Sequence, residues 1–100
     1  MLDTDTTVLP HHRDAARLWG KGGRDYDDIS FVISDALAHA AQRLAASAGD
    51  AALDVATGTG WTARNVARSG ADVTAVDISE ALLEAAVNLS EPGYPQIRFR

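Results

Sequence analysis

The sequence predicts an α/β fold built on a parallel sheet, and three observations carry that reading. Short apolar runs alternate with helical stripes through residues 51–100. The stretch LDVATGTGWTA, Leu53 to Ala63, puts Gly58 and Gly60 where an apolar run stops and a helix-compatible tail begins. A second apolar run, DVTAVDI, carries Asp77 at its carboxyl end, 17 residues beyond Gly60.

Taken in order, residues 1–10 are polar and threonine-rich, which predicts a loose start. A short helix is expected around Asp14 to Trp19, broken at GKGG, a flexible joint. From Ser30 the pattern turns helical. Ile29, Ile33, Leu37, Ala40 or Ala41, Leu44 and Ala48 recur at three- and four-residue steps, one apolar stripe of an amphipathic helix that Gly49 would end. Ala51 to Val55 then reads as a strand. Trp61 to Ser69 reads as a helix with Val66 and Ala67 inward, closed by Gly70. DVTAVDI is the second strand, and Ser79 to Leu89 a helix with Leu82, Leu83, Ala86 and Val87 on its apolar side. EPGYP is a loop, and QIRFR opens a third strand. Strand–helix alternation of this kind implies parallel strands with right-handed crossovers, a Rossmann-like sheet with an N-terminal helical cover. The expected division is a cap segment over residues 1–28 and a sheet domain over residues 29–100.

Composition narrows the function classes. A hydrophobic share of 46% and a charged share of 23% are ordinary for a globular chain, although much of the apolar share is alanine. The net charge of −5 gives no support to nucleic-acid binding. With no cysteine, thiolate metal sites and cysteine nucleophiles are excluded. The opening MLDTDTTVLP lacks the basic region of a secretory signal, and no apolar run approaches the roughly 18 residues needed to span a bilayer. The expectation is a cytoplasmic protein without a membrane or nucleic-acid partner. His11 and His12 are adjacent, so their side chains should diverge, and no metal site is expected. His39 has no partner at ligand spacing, and Trp19 and Trp61 read as packing residues.

In a parallel α/β sheet, ligands sit beyond the carboxyl ends of the strands. Glycines there let a ligand approach the backbone, and the following helix turns its free N–H groups to the same place. A carboxylate at the next strand end can accept hydrogen bonds from both hydroxyls of a ribose. Gly58, Gly60 and Asp77 therefore make a nucleoside-binding set. Each also has a plainer reading. The glycines can serve tight turn geometry alone, Asp77 can cap the helix that follows in DISE, and Asp54 can simply hold the loop. GTGWTA also satisfies the dinucleotide pattern G-x-G-x-x-A. Against a nicotinamide cofactor stand the acid four residues before Gly58 and about 50 residues of mainly helical sequence ahead of the first strand.

LDVATGTG resembles motif I of class I S-adenosylmethionine-dependent methyltransferases, an acid-x-G-x-G-x-G pattern after an apolar strand. VTAVDISEALLEAA is similar to the family's next segment, and YDDISFVISDALAHAAQRL to the helix placed over the cofactor. The resemblance runs from about Trp19 to Arg100. One position departs from the pattern: Ala56 stands where its first glycine is expected, which is tolerable if φ is negative there. Quinone-biosynthesis-type methyltransferases are similar at this point.

The resemblance implies S-adenosylmethionine as cofactor and a small molecule as methyl acceptor. It implies that Asp54 organises the loop and faces the methionine amino group. Ala56, Thr57, Gly58 and Thr59 would line the methionine moiety, with Gly60 allowing close helix packing. Asp77 would hold the ribose hydroxyls, Ile78 would contact the adenine, and Tyr26 would close over the cofactor. No catalytic base is identifiable. The alternatives are an NAD(P)-dependent oxidoreductase domain and a non-catalytic binding or assembly module. Because QIRFR stops at Arg100, the chain is expected to hold only part of the sheet and to be inactive alone. An open strand edge would then invite self-association.

Overall fold

The computed structural model describes Leu2 and residues 8–100. The loose start expected for residues 1–10 thus lies largely outside the described residues.

Three parallel strands form the sheet in the order β1 (Ala51–Val55), β2 (Asp72–Val76) and β3 (Arg98–Phe99). Ala52 pairs with Val73, Asp54 with Ala75, and Ala75 with Phe99, so these residues share one face. Helices α4 (Trp61–Ala67) and α5 (Glu80–Ser90) cover that face. The Rossmann-like reading holds.

The core lies between this face and the two helices. It joins Ala63, Val66 and Ala67 of α4, Val73 and Ala75 of β2, Leu83 and Ala86 of α5, and Ala71, Ile97 and Phe99. Half of these ten residues are alanine, so the larger apolar side chains must supply most of the hydrophobic stabilisation. Phe99 is the largest fully buried side chain. A two-residue strand is enough here because it carries that ring into the core.

Among the described residues, the other face, with Leu53, Val55, Thr74 and Val76, has no helix cover like that of the core face. Leu53 and Val55 are 66% and 68% exposed. As β1 also sits at the end of the strand order, it is an edge strand among the described residues.

The N-terminal cover differs from the single helix expected from Ser30. Helix α1 (Arg13–Gly20) is followed by a 3₁₀ turn at Gly23–Asp25, then α2 (Tyr26–Val32) and α3 (Ser34–Leu44). Ile33, with φ −107° and ψ 16°, leaves the helical region and separates α2 from α3. Val32 and Ile33 are both β-branched and lead into a serine, the poorest helix-forming run of the segment. The expected apolar stripe is also mostly solvent-facing: Ile29, Ile33 and Leu44 are each more than half exposed, while Leu37 and Ala41 are half-buried.

One plainer reading, the Asp77 cap, and one expectation, the diverging histidines, are corrected. Ser79, not Asp77, caps α5, with its hydroxyl accepting from the Leu82 N–H at 3.2 Å. Glu80 is then the first helical residue, one position after the cap, so no capping box forms. The rings of His11 and His12 do not diverge, as their centroids are 4.0 Å apart.

Helix α3 ends at Ala45 in a left-handed conformation, φ 55°, rather than at Gly49. That geometry costs a residue bearing a Cβ roughly 1–2 kcal/mol. Glycine avoids the clash, though its freer unfolded chain offsets about half of the gain. Ala45→Gly should therefore raise unfolding free energy by about 0.5–1 kcal/mol in urea titration. Ala45→Val should lower it, and the opposite ordering would rule out a strained cap.

Candidate functional site

The site forms where β1 and β2 end. Residues 56–60 connect β1 to α4, and their backbone is unusual. Ala56, Gly58 and Gly60 all have positive φ, at 60°, 59° and 92°. The negative φ that would make alanine comfortable at position 56 is not adopted, so Ala56 carries left-handed strain.

What holds this backbone is a set of three carboxylates on three successive residues. The Thr57 hydroxyl donates to Asp54 Oδ2 at 2.7 Å. The Gly58 N–H donates to Asp77 Oδ2 at 2.8 Å. The Thr59 hydroxyl donates to Asp27 Oδ1 at 2.9 Å. Asp77 Oδ1 also accepts the Ser79 N–H at 2.9 Å, so this one side chain ties the loop to the entry of α5. Sequence reasoning placed Asp54 and Asp77 at the site but missed Asp27. Its only local signal was its place beside Tyr26 in YDD.

Gly60 is required sterically as well as conformationally. A Cβ there would stand 2.8 Å from Arg64 Nη1 and 3.4 Å from both Ala86 and Phe99. Arg64 is occupied at that point: its Nη1 donates to the Thr59 carbonyl at 2.7 Å and to Ser90 Oγ at 2.9 Å. The start of α4 lies this close to Ala86 of α5 and Phe99 of β3 because that side chain is missing.

A cavity of about 540 Å³ opens between this loop and the cover. Among its lining residues are Ala56, Thr57, Gly58, Asp77, Ile78 and Tyr26, six of the nine residues expected at the site. Tyr26 Cε1 would lie 3.7 Å from a Cβ built on Gly58, so the phenol ring stands directly over the loop. Asp54, Thr59 and Gly60 do not line the cavity. They brace it from behind, and Thr59 is 1% exposed. The apolar part of the wall comes from Trp19, Ile33, Leu37, Val55, Trp61 and Leu82. Trp19 and Trp61, read from sequence as packing residues, are wall residues here. A larger groove of about 820 Å³ runs along the opposite face of the sheet past Leu53 and Thr74, and it also reaches Asp77 and Ile78.

Electrostatically, Asp54 is the distinctive group. Burial pushes its carboxyl above the ordinary value of 3.8; the Thr57 hydroxyl and the Ala63 N–H work against that push, and nearby Asp77 adds to it. Burial also lowers the Arg64 guanidinium from its usual value, with Asp27 opposing. Among the described residues, no group of three histidines and carboxylates could hold a metal ion. Nor is any helix there long and apolar enough to cross a membrane.

Comparison with known proteins agrees with this geometry. Residues 52–100 match a family model described as a methyltransferase domain. The demethylmenaquinone methyltransferases of two strains of Tropheryma whipplei are each 37% identical over 83 residues, 78% of this chain. This chain spans 35% of the length of those relatives. A crystal structure of a TehB-like SAM-dependent methyltransferase from Corynebacterium glutamicum superposes with a TM-score of 0.57 at 19% identity, covering 78% of this chain and 43% of that one. At that identity the likeness speaks for the fold. The dinucleotide reading of GTGWTA gives way to the family match. By these matches the chain carries a methyltransferase domain over residues 52–100, on the fold of the S-adenosylmethionine-dependent methyltransferases.

Proposed function

We propose that the chain binds S-adenosylmethionine in the 540 Å³ cavity and serves transfer of its methyl group to a small-molecule acceptor. The observation that carries this reading is Asp77. Its carboxylate sits at the end of β2, holds the Gly58 N–H, and lines the cavity. Each of its oxygens accepts one backbone N–H and retains capacity for another donor. Two adjacent ribose hydroxyls fit that capacity. The cavity volume falls in the range of about 300–1,000 Å³ usual for small-ligand sites.

In this proposal Asp77 holds the ribose, and Ile78 with Leu82 gives the adenine an apolar surface. Ala56, Thr57 and Gly58 bring backbone close to the methionine part, and Tyr26 covers it. Asp54 supplies negative charge behind the loop, complementary to the cofactor's ammonium group. The bound cofactor supplies an electrophilic methyl on a sulfonium, open to in-line displacement. The chain's part is then alignment and exclusion of water, which can account for much of such a rate. Trp19, Ile33, Leu37 and Trp61 favour an apolar acceptor, and an aromatic quinol-type ring suits them. That choice is consistent with the names of the two Tropheryma relatives. No catalytic base is assigned.

The proposal treats residues 1–28 as a cap over the cofactor-binding part, residues 29–100, in a cytoplasmic protein. Helix α2 spans that division and carries Tyr26 and Asp27. The edge position of β1 and the exposed Leu53 and Val55 support self-association, which would show as concentration-dependent mass in sedimentation.

Thermal shift and calorimetry test the cofactor. S-adenosylhomocysteine should raise the melting temperature, and NAD should not. Asp77→Ala should weaken S-adenosylhomocysteine binding about ten- to hundredfold. Unchanged affinity would return Asp77 to a purely structural role. Gly58→Val should abolish binding while circular dichroism is largely retained, because a branched residue resists φ 59° and intrudes on the Tyr26 side. Cofactor binding without turnover by a complete protein would favour the non-catalytic module.

A further test uses the raised Asp54 carboxyl. A folded-state value above the unfolded one means the folded protein holds this proton more tightly. The associated stability is full below 3.8 and is lost as pH rises through the raised value. Asp54→Asn keeps an acceptor for Thr57 and removes the buried charge. Its stability relative to wild type should therefore be greater at about pH 7 than at about pH 3, as read by urea unfolding. A relative gain that grows on acidification would reverse the assignment. S-adenosylhomocysteine should bind the variant more weakly.

A further inference from the structure

We propose that Asp27 is a positioning residue that fastens the cover to the cofactor loop, so that α2 and residues 57–61 order as one unit. The inference rests on the S-adenosylmethionine reading of the loop. One atom, Asp27 Oδ1, accepts both the Thr59 hydroxyl at 2.9 Å and the Trp61 indole N–H at 2.6 Å. These donors lie 32 and 34 residues away in sequence. They flank Gly60, the left-handed residue from which α4 starts.

Apolar burial does not hold α2 in place. Ser30 is its only buried residue, while Ile29, Phe31 and Val32 are 59%, 66% and 82% exposed. Phe31 meets the Trp61 ring edge-on with centroids 6.2 Å apart, the same indole that donates to Asp27. The attachment of this helix is therefore mainly polar, and Asp27 is its centre. Tyr26 precedes Asp27 by one residue and stands over Gly58. Releasing Asp27 frees Tyr26 from above the loop and leaves the Thr59 hydroxyl buried without its partner. Thr59 would still be held through its carbonyl by Arg64, so the loop should persist in a less ordered form.

The test combines nitrogen-15 NMR of the tryptophan indoles with calorimetric binding of S-adenosylhomocysteine to the full chain. Asp27→Ala should move the Trp61 indole resonance and weaken binding about ten- to hundredfold. Asp27→Asn, which keeps a neutral acceptor, should fall between Asp27→Ala and wild type. Trp61→Phe, which keeps a ring and removes the donor, should weaken binding more mildly. If Asp27→Ala does not fold, the Asn and Phe variants carry the comparison. A lowered melting temperature with unchanged affinity would mean Asp27 supports the fold alone, and would overturn the proposal. Wild-type protein that fails to bind S-adenosylhomocysteine would instead overturn the cofactor reading and this inference with it. The indole shift in the Asp27 variants would then record a structural bond only.

Discussion

The loop after β1, on which the site is built, is held by carboxylates. Three of its five residues have positive φ, and one of these is an alanine, for which the conformation costs roughly 1–2 kcal/mol. Hydrogen bonds to charged groups contribute about 1.5–3 kcal/mol each when well made, so three of them outweigh that strain. Each anchor comes from a different element: Asp54 from β1, Asp77 from the end of β2, and Asp27 from α2. The loop is therefore a joint report on the sheet, the α5 entry and the cover. A displacement of any one should reach the cavity floor.

This arrangement explains which parts were legible in the sequence. Strands β1 and β2 were legible because their apolar runs are short, with Asp54 near the end of the first and Asp77 directly after the second. Helices α4 and α5 were legible from Val66, Ala67, Leu82 and Leu83 at helical spacing, all of which are buried. Gly58 and Asp77 could be paired because each sits at a strand end, and parallel pairing of Val55 with Val76 makes those ends neighbours. Asp27 could not be found that way. Its partners lie across a helix whose docking no local pattern dictates, and its helix was expected to begin four residues later. Ala56 misled for a related reason: side-chain identity suggested an ordinary φ, but tertiary anchors on Thr57 and Gly58 impose another. The stripe through Ile29, Ile33 and Leu44 had helical spacing without a partner face to cover it. Periodicity marks a face; it does not say what covers that face.

Asp54 and Asp77 illustrate how one residue type serves two tasks. Asp54 lies on the helix-covered face of the sheet, where burial penalises its charge. Asp77 lies at a strand end with both oxygens engaged by backbone N–H groups, and it lines the cavity. The first is a charge held at a cost to the fold; the second is an oriented acceptor. Under the proposed function that difference matters. A buried charge close to a cationic cofactor recovers part of its burial penalty when the cofactor binds, whereas Asp77 gains specific donors. Binding and folding are then coupled most strongly through Asp54.

Under the proposed function the cofactor is consumed and must be exchanged, so whatever closes over it must open. An element fixed by extensive apolar burial would open only at a cost approaching that of global unfolding. Helix α2 buries a single serine and exposes most of its large apolar residues, and it meets the loop through Asp27. Polar contacts of this kind exchange readily for water, which places α2 among the less stable parts of the fold. The layer of α4 and α5 on the sheet is the opposite case, with Ala63 of α4, Ala75 of β2 and Ala86 of α5 wholly inaccessible. A rigid floor and a loosely fastened roof meet at residues 57–59, where the carboxylates of both converge. Opening the roof there removes one of the loop's three anchors, so residues 57–59 loosen with it while Asp54 and Asp77 keep the loop attached to the sheet.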